Sequence, residues 1–189
     1  MNTKKEIRKK LLRKRNILTK EECRKYSKLI ETQLFLSEQY IKTDTLLIYA
    51  SYQKEVYTHD IIKKALNAGK KVFCPKVLSP GIMKFYEITS FEDVVLGYKN
   101  IPEPRRNDSV FSFSNNNIKN SCIIMPLVGF DAEKNRLGYG GGFYDRYLQN
   151  FPDIARIGIA FECQRYEGII PAEETDIKPN FIITEVNIY

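Results

Sequence analysis

The chain alternates short continuous apolar runs with longer stretches in which apolar residues recur every three or four positions. A continuous run predicts a strand that is covered on both faces, as in a parallel sheet. Glycine, proline and polar residues mark the ends of these runs. They predict strands at residues 45–50, 71–75, 83–88, 122–128, 157–161 and 181–184, with 83–88 as the candidate edge strand.

Helical spacing and end signals predict the intervening helices. Thr19 and Glu22 form a capping-box pattern, in which each residue binds the backbone N–H of the other. Thr58 is expected to cap a further helix, which Gly69 ends. The predicted helices cover residues 3–15, the segment that follows Thr19, residues 59–68 and a segment that begins at Phe143.

The succession of strands and helices predicts the fold class. The strand at 45–50, the helix at 59–68 and the strand at 71–75 predict a right-handed parallel crossover. We therefore expect a single α/β domain over residues 1–189, a doubly wound, mostly parallel sheet flanked by helices. Ligands of such sheets bind beyond the carboxyl ends of the strands, where the loop with Glu55 is expected.

A glycine-rich stretch follows the apolar run at 122–128. It occupies residues 136–146 with the sequence RLGYGGGFYDR. Glycines let the backbone turn its N–H groups inward, and a helix start adds positive partial charge. Arg136 supplies donors for phosphate oxygens, and Asp145 supplies a carboxylate that suits the Mg²⁺ of a nucleotide. The stretch predicts an anion site.

The stretch does not match the common glycine-rich phosphate motifs. No Lys-Ser/Thr pair follows the glycines, which excludes the P-loop pattern, and Phe143 breaks G-x-G-x-x-G. An isolated glycine cluster is equally compatible with a tight strand-to-helix turn that binds nothing. The flanking Arg136 and Asp145 favour the functional interpretation.

These residues resemble the signature of the 5-formyltetrahydrofolate cyclo-ligase family. The resemblance covers nearly the whole chain and is specific at the glycine-rich run. It rests on Gly129-Phe130-Asp131, the run NRLGYGGGFYD at 135–145, Lys4-Lys5 with Arg8, Glu55, Asn100-Ile101-Pro102-Glu103-Pro104, and Asp176. It implies a doubly wound α/β enzyme that converts 5-formyltetrahydrofolate to 5,10-methenyltetrahydrofolate. ATP would be the co-substrate, Mg²⁺ the cofactor, and ADP and phosphate the other products.

The resemblance also assigns site residues. It implies ATP binding by Lys4, Lys5, Arg8, Arg136, Leu137, Gly138, Tyr139, Gly140, Gly141, Gly142, Phe143 and Tyr144, with Arg136 and Tyr144 as catalytic residues. It implies folate contacts from Ala50, Glu55, Tyr139, Gly140, Gly141, Gly142 and Phe143. Asp145 and Asp176 would hold Mg²⁺ together with phosphate oxygens. Without the resemblance, Glu55 and Asp176 are typical of solvent-facing loop charges.

Three positions depart from the pattern that is common in the family. Position 143 is Phe where Tyr is common, which removes a hydroxyl contact. Position 141 is Gly where some members carry Lys, so no lysine assists phosphoryl transfer from there. Asn180 stands where Asp is frequent, which would weaken metal binding if that Asp served the metal.

The positive charge is concentrated at the amino terminus. The chain carries +7 at neutral pH, and residues 1–28, with twelve Lys or Arg and three Glu, carry +9, which leaves −2 elsewhere. Such a segment makes a nucleic-acid-binding protein the alternative function, although a basic run is more often a solvated helix face. No nucleic-acid-binding signature accompanies it. A sugar-phosphate isomerase of related architecture is a third hypothesis, which the anion loop allows.

The cysteines, the single histidine and the lengths of the apolar runs limit the kinds of metal site and the cellular location that we expect. Cys23, Cys74, Cys122 and Cys163 form no C-x-x-C pair, which argues against a zinc site and predicts reduced thiols in the cytoplasm. His59 is the single histidine, so metal sites built on several histidines are excluded. No run approaches the roughly 18 apolar residues that span a membrane, and no secretory signal is expected. We expect a monomer that binds neither membranes nor nucleic acid.

Overall fold

The computed structural model describes residues 3–97, 100–105, 109–112 and 118–189. The helices are α1 (Lys4–Ile17), α2 (Lys20–Leu36), α3 (Glu38–Ile41), α4 (His59–Asn67) and α5 (Phe143–Leu148). The strands are β1 (Thr45–Ile48), β2 (Lys71–Ser79), β3 (Ile82–Ile88), β4 (Val94–Leu96), β5 (Pro102–Pro104), β6 (Ser121–Pro126), β7 (Gly129–Phe130), β8 (Arg136–Leu137), β9 (Ala155–Ile159) and β10 (Phe181–Ile183). Each predicted strand and helix is present, with its ends shifted by a few residues.

Six of the described strands form one sheet in the order β10-β9-β6-β1-β2-β3. Neighbouring strands are parallel except β2 and β3, which form an antiparallel hairpin. The prediction of a mostly parallel sheet flanked by helices is confirmed, and β3 lies at the edge as expected. The helix α4 connects β1 to its parallel neighbour β2, because parallel strands cannot be joined by a tight turn.

The central strands contribute to two hydrophobic cores, one on each face of the sheet. In β1, Leu46 and Ile48 belong to the core that includes residues of α2 and α4. Leu47 belongs to the core that includes Leu148 of α5. Since side chains alternate across a strand, a strand covered on both faces must be apolar at every position. This requirement explains the continuous apolar runs in the sequence.

Capping boxes set the starts of the first two helices. The Thr19 hydroxyl accepts a hydrogen bond from the N–H of Glu22, whose carboxylate accepts one from the N–H of Thr19. This confirms the predicted capping box of α2. Thr3 and Glu6 form the same pair at the start of α1, at 3.3 Å and 2.8 Å.

Thr58 does not cap α4 with its side chain, so that prediction was wrong. Its hydroxyl donates to the carbonyl oxygen of Tyr49 at 2.6 Å and accepts from the N–H of Ser51 at 2.9 Å. The loop that follows β1 is buried at these residues, and its backbone groups need partners there. Thr58 therefore braces the loop that carries Glu55.

Residues 90–120, whose sequence is polar and rich in turn-forming residues, contain a short antiparallel ladder. The strand β4 pairs with β5, so part of the extended stretch at 100–104 is a strand. Glu103 of β5 is buried, and its Oε1 accepts from the N–H of Val77 at 3.2 Å. The three consecutive asparagines at 115–117 predict the loosest point of this segment, and they lie outside the described residues.

We predict that Ile124→Ala will lower the free energy of unfolding by about 2–5 kcal/mol, because it leaves a cavity at a fully buried position of the central strand β6. Ile124→Val is the matched control, and it should cost about 0.5–1.5 kcal/mol. Urea titration at equilibrium measures both. Equal losses in the two variants would contradict the position of Ile124 in a tightly packed core.

Candidate active site

A cavity of about 810 Å³ lies at the carboxyl ends of β1 and β6. The chain order reverses at β1, because β2 lies on one side of it and β6 on the other. Open α/β sheets bind ligands at such a switch point, where neighbouring loops diverge. The walls of the cavity come from α1, the loop after β1, the β2–β3 hairpin, β5 and residues 136–146 and 173–176.

The cavity brings together nearly all residues that the sequence assigned to a site. The lining includes Lys4, Arg8, Ala50, Glu55, every residue of 136–146, and Asp176. Lys5 differs from the others, because it is exposed on α1 and does not line the cavity. Asn180 also lies elsewhere. Its side-chain oxygen accepts from the N–H of Arg156 at 2.7 Å, so this departure from the family pattern concerns the junction of β9 and β10.

A buried aspartate shapes the turn that precedes the glycine-rich loop. The Oδ1 atom of Asp131 accepts from the N–H groups of Glu133 and Asn135, at 3.0 and 2.9 Å. Its Oδ2 atom accepts from the Asn135 amide and from the N–H of Ile170, both at 2.8 Å. The turn joins β7 to β8, which pair antiparallel, and so returns the chain to the cavity at Arg136.

The glycine-rich loop has a backbone conformation that requires glycine at two positions. Gly140 has φ +95° and Gly142 has φ +62°, in the left-handed region that other residues rarely adopt. Within the described ranges, the N–H groups of Gly140, Gly141 and Gly142 have no hydrogen-bond acceptor in the protein. They border the cavity beside the start of α5. The loop therefore offers donors to anionic oxygens.

Gly141 and Phe143, the two loop residues that depart from the pattern common in the family, are neighbours in space. A Cβ atom on Gly141 would lie 2.7 Å from ring carbons of Phe143, so a larger residue at position 141 would displace this ring. The guanidinium of Arg146 lies 5.9 Å from the centre of the same ring. It also donates to the carbonyl oxygens of Gly81, at 2.9 Å, and of Gly141. Arg146 thus ties the loop to the β2–β3 hairpin.

Helix α1 contributes a lysine that is paired with carboxylates at one end of the cavity. The Lys4 ammonium lies 2.6 Å from Asp176 and 2.9 Å from Glu173. Burial by itself lowers the pKa of Lys4, but the hydrogen bonds to Asp176 and Glu173 raise it above the usual value. Burial raises the pKa of Asp176, yet the bond from Lys4 lowers it overall. Both groups are therefore held in their charged forms.

Arg8 binds the glycine-rich loop directly. Its Nε donates to the carbonyl oxygen of Gly138 at 2.8 Å. A Cβ atom on Gly140 would lie 3.5 Å from the same guanidinium, which shows how closely α1 approaches the loop. Since a guanidinium carries five N–H donors, Arg8 keeps donors for a ligand after this bond.

Arg136 and Asp145 form an ion pair across the loop. The Nη2 atom of Arg136 contacts Oδ1 of Asp145, which also accepts from the N–H of Ile177 at 3.1 Å. Arg136 lies 6.0 Å from the centre of the Tyr144 ring. In the described part of the chain, Nε of Arg136 and the Tyr144 hydroxyl are buried without a hydrogen-bond partner. Such groups are costly unless a ligand or water satisfies them.

Glu55 lines the cavity from the loop that follows β1. The Tyr139 hydroxyl donates to its Oε1 at 2.7 Å, and the N–H of Tyr52 donates to its Oε2 at 2.9 Å. Burial raises the pKa of the Glu55 carboxyl above its ordinary value of 4.5. These hydrogen bonds and the charge of Arg15 act in the opposite direction. Each carboxylate oxygen retains a lone pair for a ligand.

Arg15 is a site residue that the sequence analysis missed. It is only 3% exposed, and its Nη1 donates to the Tyr139 hydroxyl at 2.8 Å. A signal was present in the spacing, because Ile7, Leu11 and Arg15 recur at intervals of four on α1. That spacing places Arg15 on the apolar stripe and not on the solvated face to which the basic residues of this segment were assigned.

The carboxylates that line the cavity are too few to coordinate a metal ion by themselves, and a bound ligand would have to supply further oxygens. Among the residues that the structure describes, no group of three His, Cys, Asp or Glu side chains could hold a metal ion by itself. Asp145 and Asp176 both line the cavity, and each has one carboxylate oxygen outside its ion pair. Mg²⁺ is commonly held by one or two carboxylates with phosphate oxygens and water. The donor set therefore fits a nucleotide-bound Mg²⁺.

Other features that the sequence singled out have structural roles. The four cysteines are free thiols. His59 is half-buried in α4, and its Nε2 lies 3.1 Å from the carbonyl oxygen of Ser51. Over the described ranges, no helix combines the length and the apolar character needed to span a bilayer.

Comparison with known proteins covers nearly the whole chain. The model of the 5-formyltetrahydrofolate cyclo-ligase family matches residues 1–185. The 5-formyltetrahydrofolate cyclo-ligase of Escherichia coli strain K12 is 30% identical over 181 residues, which cover 93% of this chain and 97% of that protein. The cyclo-ligase of Mus musculus is 30% identical over 194 residues, covering 97% of this chain and 94% of that protein.

A solved structure has the same fold. The NMR structure of Aquifex aeolicus 5,10-methenyltetrahydrofolate synthetase gives a TM-score of 0.81 at 30% identity, covering 98% of this chain and 91% of that one. The synthetase structure from Mycoplasma pneumoniae gives a TM-score of 0.74 at 26% identity, covering 96% and 98%. These similarities favour the enzyme over the nucleic-acid-binding alternative.

We predict that Glu55→Gln will become more stable relative to the wild type as pH rises from 4.5 towards neutrality. The folded-state pKa of Glu55 is raised, so its contribution to stability is complete below the ordinary pKa of 4.5 and is lost as pH rises through the folded-state value. Gln cannot ionise and shows no such loss. Urea titrations of both proteins across this range measure the difference, and a difference that stays constant would show that burial does not perturb Glu55.

Proposed function

Because the chain belongs to the 5-formyltetrahydrofolate cyclo-ligase family, we propose that it converts 5-formyltetrahydrofolate to 5,10-methenyltetrahydrofolate. The proposed reaction consumes ATP in the presence of Mg²⁺ and releases ADP and phosphate. The observation that carries the proposal is one cavity in which the glycine-rich loop and neighbouring cations lie together with a glutamate and aromatic side chains. Such a cavity suits a nucleotide and a folate together.

The chemistry explains why both substrates must share one cavity. The N-formyl group is an amide, and its oxygen is a poor leaving group. Attack of this oxygen on the γ-phosphorus of ATP forms one P–O bond and breaks the bond to ADP. N10 then attacks the formyl carbon and loses its proton, while phosphate departs with the oxygen. The protein holds the reactants in line and neutralises the transferred charge.

The phosphate end of the cavity is assigned to α1 and the glycine-rich loop. Lys4 and Arg8 would contact phosphate oxygens together with the backbone N–H groups of Gly140, Gly141 and Gly142. Lys5 is less suited to this role, because its exposed position does not line the cavity.

Arg136 and Tyr144 are proposed as the catalytic residues. Nε of Arg136 and the Tyr144 hydroxyl are buried donors without a partner in the described chain, and both residues line the cavity. Oxygens of the transferred phosphoryl group would satisfy them at the point where negative charge develops. Donors that are preorganised in this way stabilise a transition state without further reorganisation.

Mg²⁺ is proposed to bind at Asp145 and Asp176. When bound, it would neutralise charge on the nucleotide phosphates. The two aspartates keep one oxygen each for this purpose, and their other oxygens anchor Arg136 and Lys4. The same carboxylates thus orient the cations that would contact the phosphates.

The folate end is assigned to Glu55 and the aromatic residues around it. A carboxylate that accepts at both oxygens suits the amino-pyrimidinone edge of a pterin, which presents N–H donors. Tyr139 and Phe143 offer faces for the flat rings. Ala50 is almost fully buried next to β1 and would limit the depth of the site.

The compartment and the assembly state are also proposals. Cys74 and Cys122 are fully buried, and burial raises the pKa of the Cys122 thiol to about 11. Free thiols of this kind suit a reducing compartment, so we propose that the protein is cytoplasmic. The monomeric state stays a prediction.

We predict an ATP-dependent rise in the near-ultraviolet absorbance of the methenyl product when the protein is mixed with 5-formyltetrahydrofolate and Mg²⁺. Absence of the rise with folded protein would refute the proposed function. A rise without ATP would favour a different reaction class.

We predict that Asp145→Asn will raise the Mg²⁺ concentration needed for half-maximal rate, because a neutral amide binds a hard cation more weakly than a carboxylate. Mg²⁺ titrations at saturating ATP measure the effect. An unchanged Mg²⁺ requirement would remove Asp145 from the metal site. Urea titration of the variant separates this effect from loss of the fold.

We predict that Arg8→Gln will raise the KM for ATP about tenfold or more, because charged hydrogen bonds contribute roughly 1.5–3 kcal/mol. Lys9→Gln is the matched control. Lys9 is the next residue on α1 and is exposed, so the KM for ATP of Lys9→Gln should equal that of the wild type. Equal KM values in both variants would exclude Arg8 from nucleotide binding.

A further inference from the structure

A hydrogen-bond chain links α1 to the proposed folate end of the cavity. Arg15 Nη1 donates to the Tyr139 hydroxyl at 2.8 Å, and this hydroxyl donates to Glu55 Oε1 at 2.7 Å. The guanidinium of Arg15 also lies 5.6 Å from the centre of the Tyr139 ring. Arg15 itself is 3% exposed and does not line the cavity. It therefore reaches a ligand only through Tyr139.

The donors and acceptors of the three side chains determine the direction of each hydrogen bond between them. A guanidinium has donors and no acceptor, so the Tyr139 oxygen must accept from Arg15. The Tyr139 hydrogen is then free to point at Glu55, which must accept it. An ionised carboxylate accepts at both oxygens, whereas a protonated one would offer a hydrogen at one of them. The chain therefore favours the ionised form of Glu55.

Packing does not require a charged residue at position 15. Arg15 shares its stripe of α1 with Ile7 and Leu11, which are buried apolar residues. In the described structure its Nε is buried without a partner, and a buried cation is costly unless it is well paired. An apolar side chain would avoid this cost. The arginine thus contributes something other than stability.

We propose that Arg15 is a positioning residue for the reaction, which holds Glu55 through Tyr139 as an ionised acceptor for the N–H groups of the substrate's pterin ring. The identity of the substrate rests on the proposed function. The coupling between Arg15 and Glu55 is a property of the folded protein and does not depend on it.

Among the described residues that face Glu55, Arg15 is the one that carries a positive charge. Tyr49 after β1 and Tyr139 and Tyr144 of the glycine-rich segment face Glu55, together with Arg15 from α1. The ammonium of the adjacent Lys54 is engaged elsewhere, with the carbonyl oxygens of residues 16 and 18 at 2.5 Å. Burial raises the pKa of Glu55, and Arg15 counteracts this effect.

The first test measures the coupling without any substrate. The difference in unfolding free energy between Glu55→Gln and its parent is followed across pH, in the wild-type background and in an Arg15→Met background. Met keeps the length and the apolar stem of the side chain. Without Arg15 the folded-state pKa of Glu55 should be higher. We therefore expect the stability advantage of Glu55→Gln over its parent to keep growing to a higher pH in the Arg15→Met background than in the wild-type background. The same pH dependence in both backgrounds would overturn the proposal.

The second test measures the role in the reaction. Arg15→Met should lower kcat/KM for 5-formyltetrahydrofolate about tenfold or more at neutral pH. The acid limb of the pH profile of kcat/KM should move to higher pH. The KM for ATP should be unchanged. Arg15→Lys should restore part of the loss. Arg13→Met, the same type of change on the exposed face of α1, should behave as the wild type. A loss of equal size at every pH would show a merely structural role.

The two tests separate the possible failures. If the wild type makes no product but the stability difference responds to Arg15, the proposed function fails and the coupling stands. If the wild type is active and Arg15→Met retains its pH profile, the positioning role fails. Tyr139→Phe interrupts the same chain at a half-exposed residue, so it tests the proposal even if Arg15→Met does not fold. It should move the acid limb in the same direction.

Discussion

The packing of α1 against β7 and the glycine-rich loop is the contact on which the site depends. Its buried stripe contains Ile7, Leu11 and Arg15, and Leu11 packs so closely on Gly129 that a Cβ atom there would collide with it. This close approach brings Arg8 within hydrogen-bond distance of the loop. One amphipathic helix therefore supplies Lys4 and Arg8 to the lining of the cavity and Arg15 to the hydrogen bond with Tyr139, and its register determines which of its basic residues point there.

Charge compensation is the second constraint. The cavity contains several cations, and each one described is held by an oxygen of the protein: Lys4 by Asp176, Arg8 by Gly138, and Arg136 by Asp145. Partly buried charges need such partners in the absence of a ligand. The partners also fix the orientation of the cations, so that the proposed binding of phosphates would require little rearrangement. Preorganised groups of this kind are the usual means by which an enzyme stabilises the charge that develops in a transition state.

The fold was largely predictable because its signals are local. A strand such as β1 is covered on both faces, and every position must then be apolar, which any short window of sequence reveals. The glycine-rich loop was equally visible, since Gly140 and Gly142 adopt left-handed backbone conformations. The prediction for Thr58 was wrong, because its hydroxyl serves the buried loop after β1 instead of the helix that it precedes. Local patterns do not show which of two nearby partners a hydroxyl will choose.

The sequence by itself determined the α/β class, the order of its elements, the glycine-rich loop and most of the residues that line the cavity. The tertiary structure decided which charged groups meet there. It separated Lys4 from its neighbour Lys5, because adjacent residues of a helix point in different directions. It also joined Arg15 to Tyr139, which is 124 residues away in the chain. Periodicity and backbone preference act over a few residues, whereas the pairing of buried charges depends on the packing of distant elements.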